Sequence, residues 1–104
     1  MTSVELLSTA EDQIDGIAQY TRINWGEQQA ERYVRGLFQH LDKLASNRVL
    51  WRRLPEEFGV EGYFARYQSH YIFWRYYDDD TLAVFAILHE NMDLPAQVRR
   101  LAGQ

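Results

Sequence analysis

Residues 63–89 read YFARYQSHYIFWRYYDDDTLAVFAILH, and the turns inside this stretch determine what kind of domain the chain can build. Three runs rich in Tyr, Phe, Ile and Val, at 63–68, 70–77 and 82–89, are separated by Ser69 and by the acidic turn DDDT. β-branched and aromatic runs punctuated in this way mark strands, and strands so close in sequence pair as an antiparallel meander. Side chains alternate across a strand. Tyr71, Phe73, Arg75 and Tyr77 are therefore expected on one face and Ile72, Trp74 and Tyr76 on the other. In the next strand Leu82, Val84, Ala86 and Leu88 oppose Ala83, Phe85, Ile87 and His89. Both faces of the sheet are apolar or aromatic.

Upstream, SVELLS is short enough for an edge strand. STAE at 8–11 spells a capping box, with Ser8 accepting from backbone amides and Glu11 reaching back. From there Ala10, Ile14, Ile17 and Ala18 form one apolar stripe, and Gly26 is a stop signal. EQQAERYVRGLFQHLDKLA at 27–45 keeps the helical period through Ala30, Tyr33, Val34, Leu37, Phe38, Leu41, Leu44 and Ala45. So short a link makes the two helices an antiparallel hairpin. Residues 47–62, NRVLWRRLPEEFGVEG, read as an irregular connection, and AQVRRLAGQ after Pro95 as a short terminal helix. The expected fold is α+β, one domain over 1–104: an N-terminal strand, an antiparallel helical hairpin packed on an antiparallel sheet, and a short C-terminal helix. One hairpin covers one face only. The other face must meet a partner, or be covered by the 47–62 segment and the terminal helix.

Composition narrows the function. With 104 residues, 46% apolar and 25% charged, the chain is one small domain that buries about two-thirds of its unfolded surface. It has no cysteine, so neither disulfides nor thiolate-bound metal can hold it, and the cytoplasm is the expected location. No run reaches the length of a membrane span, and the start MTSVELLSTAEDQ carries acids where a signal peptide is basic, so a soluble, unprocessed protein is expected. At net charge −4, free nucleic acid is not an expected partner, because that affinity needs clustered Lys and Arg. Arginine supplies ten of the eleven basic residues, which suits bidentate contacts to carboxylates as well as phosphates.

Among groups able to do chemistry, His40 is expected on a solvated helix position and His70 at a strand opening. His89 ends the last apolar run, where an imaginable role is proton transfer near neutral pH. The acids at 78–80 fit a hairpin turn and lack the rest of a calcium loop. The pairs Arg52–Arg53 and Arg99–Arg100 fit solvated surface or carboxylate contacts.

Two long stretches carry a resemblance. YTRINWGEQQAERYVRGLFQHLDKLA and GYFARYQSHYIFWRYYDDDTLAVFAILHENMD together resemble the RelE/ParE superfamily of toxins from type II toxin-antitoxin modules, the ParE branch in particular, over nearly the whole chain. WGEQQAERY, SHYIFWR and ILHENMD are the most specific parts. RelE-like members cut messenger RNA in the ribosome with basic side chains and a general acid or base; ParE-like members poison DNA gyrase. Ile72 stands where the RelE branch carries an arginine, none stands near Asn91, lysine is nearly absent, and the C-terminal segment has no tyrosine. The resemblance thus implies a toxin that binds DNA gyrase without catalytic residues, cofactor or metal, and meets DNA only through a complex. It implies a cognate antitoxin that wraps the toxin, with Trp74, Tyr76 and Phe73 as the expected contacts. Arg99, Arg100 and Leu101 would face the target. Read from the residues themselves, His89, Met92 and Asp93 are expected to fasten the last strand to this tail, His89 by bonding backbone at the strand end, Met92 by filling a gap beside it and Asp93 by capping the terminal helix. The alternative is a RelE-like ribosome-dependent endoribonuclease with Arg66, Arg75 and His89 as its site.

Overall fold

The fold was obtained as a computed structural model, which describes residues 3–78 and 80–103. In chain order it comprises β1 (Ser3–Leu6), α1 (Ser8–Trp25), α2 (Glu27–Ala45), β2 (Arg52–Arg53), a 3-10 turn (Glu56–Phe58), β3 (Tyr63–Tyr67), β4 (His70–Asp78), β5 (Thr81–His89) and α3 (Leu94–Ala102). The strands form one sheet in the order β1-β5-β4-β3-β2. The meander β3-β4-β5 is antiparallel as expected. β1 pairs parallel to β5, so the sheet is mixed. The intervening hairpin and meander give the long crossover that a parallel pair requires. No helix among the described residues is long and apolar enough to cross a membrane.

Gly26 alone separates α1 from α2. Its φ of 95° turns the chain in a region that a Cβ disfavours, and its N–H closes on Arg22 O at 3.0 Å, which makes the hairpin tight. The capping box at 8–11 does not form. Leu7, whose N–H still bonds Val84 O, takes the cap position with no side-chain hydrogen bond, so Ser8 is already helical.

Two cores sandwich the sheet. Under the hairpin, Ala10, Ile14, Leu37, Leu41 and Leu44 pack on Ile72, Trp74, Leu82, Val84 and Ile87. On the other side Val98, Leu101 and Ala102 of α3, with Leu54 and Phe58 from the irregular connection, pack on Phe73, Phe85, Ala86 and Leu88. The chain itself therefore closes the face that the hairpin leaves open. The alternation expected in β5 is broken: Phe73 pairs Ala86 while Trp74 pairs Val84, which leaves Phe85 as an extra residue. That bulge reverses the phase of the rest of the strand. Ala86 and Leu88 join the α3 face, whereas Ile87 and His89 join Leu82 and Val84. His89 thus shares a layer with Ile87 and not with Phe85. Of the acidic turn, Asp80 N–H bonds Asp78 Oδ1 at 2.8 Å; Asp79 lies outside the described residues.

Candidate functional site

Arg66, Arg75 and His89 do not converge. Along the sheet Tyr67, His70 and His89 are register partners on the hairpin face, whereas Arg66, Tyr71 and Leu88 are partners on the opposite face. Arg66 is engaged there, with its guanidinium on the Glu90 carboxylate, on Gln68 O at 2.8 Å and 5.6 Å over the Tyr71 ring. Arg75 lies on that face too, donating to Ala102 O at 3.1 Å and sitting 5.1 Å over Phe85. The sheet stands between the two cations and the imidazole.

The residues expected at the partner surfaces divide by burial. Phe73 and Trp74 are each 1% exposed, one in each core, and have no surface to present; Tyr76 is 45% exposed. In the tail Arg99 and Arg100 are exposed, Arg99 donating to Glu57 O and Arg100 to Gln97 Oε1, while Leu101 is buried under the sheet. Asp93 does cap α3, its Oδ1 accepting from Ala96 N–H at 3.3 Å. Met92 fills no gap in the core. It is exposed at the rim of a groove.

That groove, about 840 Å³, runs between α1, the start of α2 and the ends of β4 and β5. Gln13, Ile17, Tyr20, Trp25 and Met92 form its walls, with Tyr33, His70 and His89 among its remaining lining. None of its lining residues is Asp, Glu, Lys or Arg. Beside it the outer face of α1 leaves Tyr20, Ile23 and Trp25 largely in solvent. The Tyr33 hydroxyl is 2.6 Å from His70 Nδ1, and the His70 and His89 rings meet edge to face at 5.2 Å. His89 Nδ1 accepts from Asn91 N–H at 3.1 Å, so neutral His89 carries its proton on Nε2. Burial, then the neighbouring His89, pushes the His70 pKa down to about 4 against the pull of Glu90. Burial likewise raises the Tyr67 hydroxyl, whose ring meets Tyr33 edge to face. With no Lys or Arg among its lining residues, the groove lacks the cationic donors that would stabilise a phosphate transition state. An apolar, charge-free, aromatic-walled groove instead has the make-up of an interface centre. Among the described residues no group of three or more His, Asp or Glu is placed to hold a metal ion.

The sequence did not single out Tyr20, Trp25 or the Tyr33–His70 contact. The one signal it carried was that Tyr20 and Ile23 are large apolar residues off the buried stripe of α1.

Residues 4–94 match a family model described as ParE toxin of type II toxin-antitoxin system, parDE. Toxin ParE of Escherichia coli is 36% identical over 104 residues, covering 99% of this chain and 100% of the relative. Toxin ParE1 of Mycobacterium tuberculosis (strain ATCC 25618 / H37Rv) is 32% identical over 97 residues, covering 90% of this chain and 96% of the relative. A solved structure of the chromosomal ParDE TA system from P. aeruginosa superposes with a TM-score of 0.65 at 17% identity, covering 86% of this chain and 96% of that one. At that identity the likeness is one of fold.

Proposed function

Since the chain belongs to the ParE toxin family of type II toxin-antitoxin systems, we propose that it acts by binding DNA gyrase and blocking its cycle through protein contact. A cognate antitoxin silences it by laying an apolar segment into the groove beside α1. The observation that supports this reading is the separation of Arg66 and Arg75 from His89 by the sheet. Cleaving a phosphodiester needs an acid or base and charge-stabilising donors around one phosphate. Here each cation is already held, by Glu90 or by Ala102 O. Binding remains as the activity, and the charge-free groove with Tyr20, Trp25 and Met92 supplies a surface whose chemistry suits an amphipathic partner segment.

The test runs purified toxin in a gyrase supercoiling assay beside a ribosome-programmed RNA cleavage assay. Loss of supercoiling that the antitoxin reverses, with RNA left intact, is the expected result. Cut RNA with gyrase untouched overturns the proposal in favour of the endoribonuclease.

A further inference from the structure

At the sheet edge remote from β1, three aromatic rings form a row. Trp51 and Tyr63 meet at 5.3 Å between centroids, and Tyr63 and Tyr76 at 5.4 Å, both edge to face. Trp51 is held by its indole N–H on Asn47 Oδ1 at 2.9 Å, yet remains 42% exposed, and Tyr76 is 45% exposed. Arginines interleave with the row. Arg48, Arg52 and Arg53 are all exposed; Arg53 lies 6.0 Å over Tyr63, and Arg48 donates to Ser46 Oγ. Among the described residues none of the three pairs with a carboxylate, although Glu56 and Glu61 line the pocket that Arg53 and Tyr76 border. Between them Leu50 stands 94% exposed. Solvated arginines need no explanation singly, and neither does one surface leucine. Three guanidinium groups without a carboxylate partner and a protruding aliphatic side chain in the 48–53 segment, next to the exposed rings of Trp51 and Tyr76 on either side of the half-buried Tyr63, are a different matter in a net-acidic chain.

We propose that the exposed rings of Trp51 and Tyr76, with Arg48 and Arg53 on their side and Arg52 on the other side of the same edge strand, form a contact edge for DNA whose bases are unstacked, as where a duplex is opened or cut. Every base has a π-face that an exposed ring can stack on, and guanidinium groups neutralise adjacent phosphates while stacking on rings themselves. Leu50 is placed as a wedge against a base step. An acidic peptide would satisfy the arginines equally and could pack on the rings as well, and it is told apart in the test by a triple variant that loses the antitoxin while keeping the oligonucleotide. The edge lies away from the groove, so one toxin could hold both kinds of partner in turn. That the DNA is the strand held by gyrase rests on the reading under Proposed function; the binding itself does not.

The test is fluorescence anisotropy of a labelled twelve-residue thymidine oligonucleotide with the purified toxin. Three phosphate contacts on a single strand predict that log affinity falls against log salt with a slope of about −2. Trp51→Ala is expected to weaken binding roughly 5- to 100-fold, and combined Arg48→Ala, Arg52→Ala and Arg53→Ala to flatten the slope toward zero. All four positions are exposed, and an unchanged melting temperature verifies folding. The proposal is overturned by no wild-type binding at about 50 mM salt, by a closed duplex bound as tightly as the single strand, by an unaltered slope in the triple variant, or by a triple variant that loses the antitoxin while keeping the oligonucleotide. In a gyrase cleavage assay the triple variant should trap less broken DNA while still binding gyrase without DNA. A wild-type toxin that traps none counts against the gyrase reading, and the oligonucleotide measurement then decides the contact edge alone.

Discussion

At the scale of single residues the groove is defined by two histidines with separate consequences. His70, half-buried between Tyr33 and His89, has its pKa lowered to about 4, by burial first and His89 second. In the unfolded chain the ring titrates near 6.5, so as pH falls from there toward 4 the unfolded state takes up a proton that the folded state refuses. Stability is full above that window and drops through it. After discounting for solvent screening of a half-exposed ring, the loss is on the order of 1–2 kcal/mol. His40, also lowered by burial and by Lys43, adds in the same direction. His70→Gln keeps an acceptor for the Tyr33 hydroxyl. Its urea midpoint is expected to change less between pH 7 and pH 4.5 than that of the wild type, and equal changes would show that His70 is not the titrating group. For His89 the prediction concerns toxicity. Its Nδ1 accepts from Asn91 N–H, a bond a Gln oxygen can replace, so His89→Gln is expected to arrest growth as the wild type does at matched expression. A general acid or base is worth about 100- to 10,000-fold in rate, so a folded variant that no longer kills would put the endoribonuclease reading first.

At the scale of elements, a helix and a strand meet at Gly36. A Cβ built there would stand 2.2 Å from the Tyr67 hydroxyl, which donates to Tyr33 O at 2.9 Å. Gly to Ala within a helix ordinarily gains up to about 1 kcal/mol. Displacing a fixed tyrosine costs about 1–3 kcal/mol, so Gly36→Ala is expected to lower the melting temperature; a rise would mean that Tyr67 swings aside freely. α3 provides the second case. Asp93→Ala should cost about 1 kcal/mol as a lost cap, read by thermal melting. Deleting 95–104 would do far more, uncovering Phe73, Phe85 and Leu88, so a stable truncated chain would refute the packing role of α3. Tail contact with the target is better probed by Arg100→Ala, which leaves Val98 and Leu101 in place. Legibility of the sequence tracks the range of the forces. α2 was readable because eight apolar positions at a helical period are a local pattern, and Asp93 because a cap acts over three residues. The bulge at Phe85 has no local signature, and it changed which neighbours His89 keeps. The Tyr33–His70 contact joins residues 37 apart in sequence, a pairing set by strand register and hairpin packing that no periodicity contains. Likewise Val98 and Leu101 mark α3 as amphipathic without saying which sheet face receives it.

For the molecule as a whole, the question is which tryptophan serves the fold and which the partner. Both faces of the sheet are closed by the chain's own helices and connection, so the apolar excess apparent in the strands is spent on the interior. Trp74, 1% exposed and stacked on Tyr63 beneath the hairpin, belongs to that interior. Truncating it removes a large buried ring at a cost of about 3–5 kcal/mol, close to the entire stability of a small domain, and Trp74→Ala is expected to be unfolded at 37 °C. Of the large apolar residues left exposed, Tyr20, Ile23, Trp25 and Met92 lie on α1 and the groove rim, whereas Leu50, Trp51 and Tyr76 lie at the opposite sheet edge. Trp25, 72% exposed at the end of α1, supports nothing inside the chain. Trp25→Ala should therefore leave stability within about 0.5 kcal/mol, yet weaken the antitoxin by about 2 kcal/mol, some 30-fold, if this ring anchors the partner. Thermal melting and calorimetric titration of both variants separate the roles. A Trp25→Ala toxin that binds antitoxin like the wild type, while Tyr76→Ala does not, would move the antitoxin from the groove to the opposite edge of the sheet and set it in competition with DNA there.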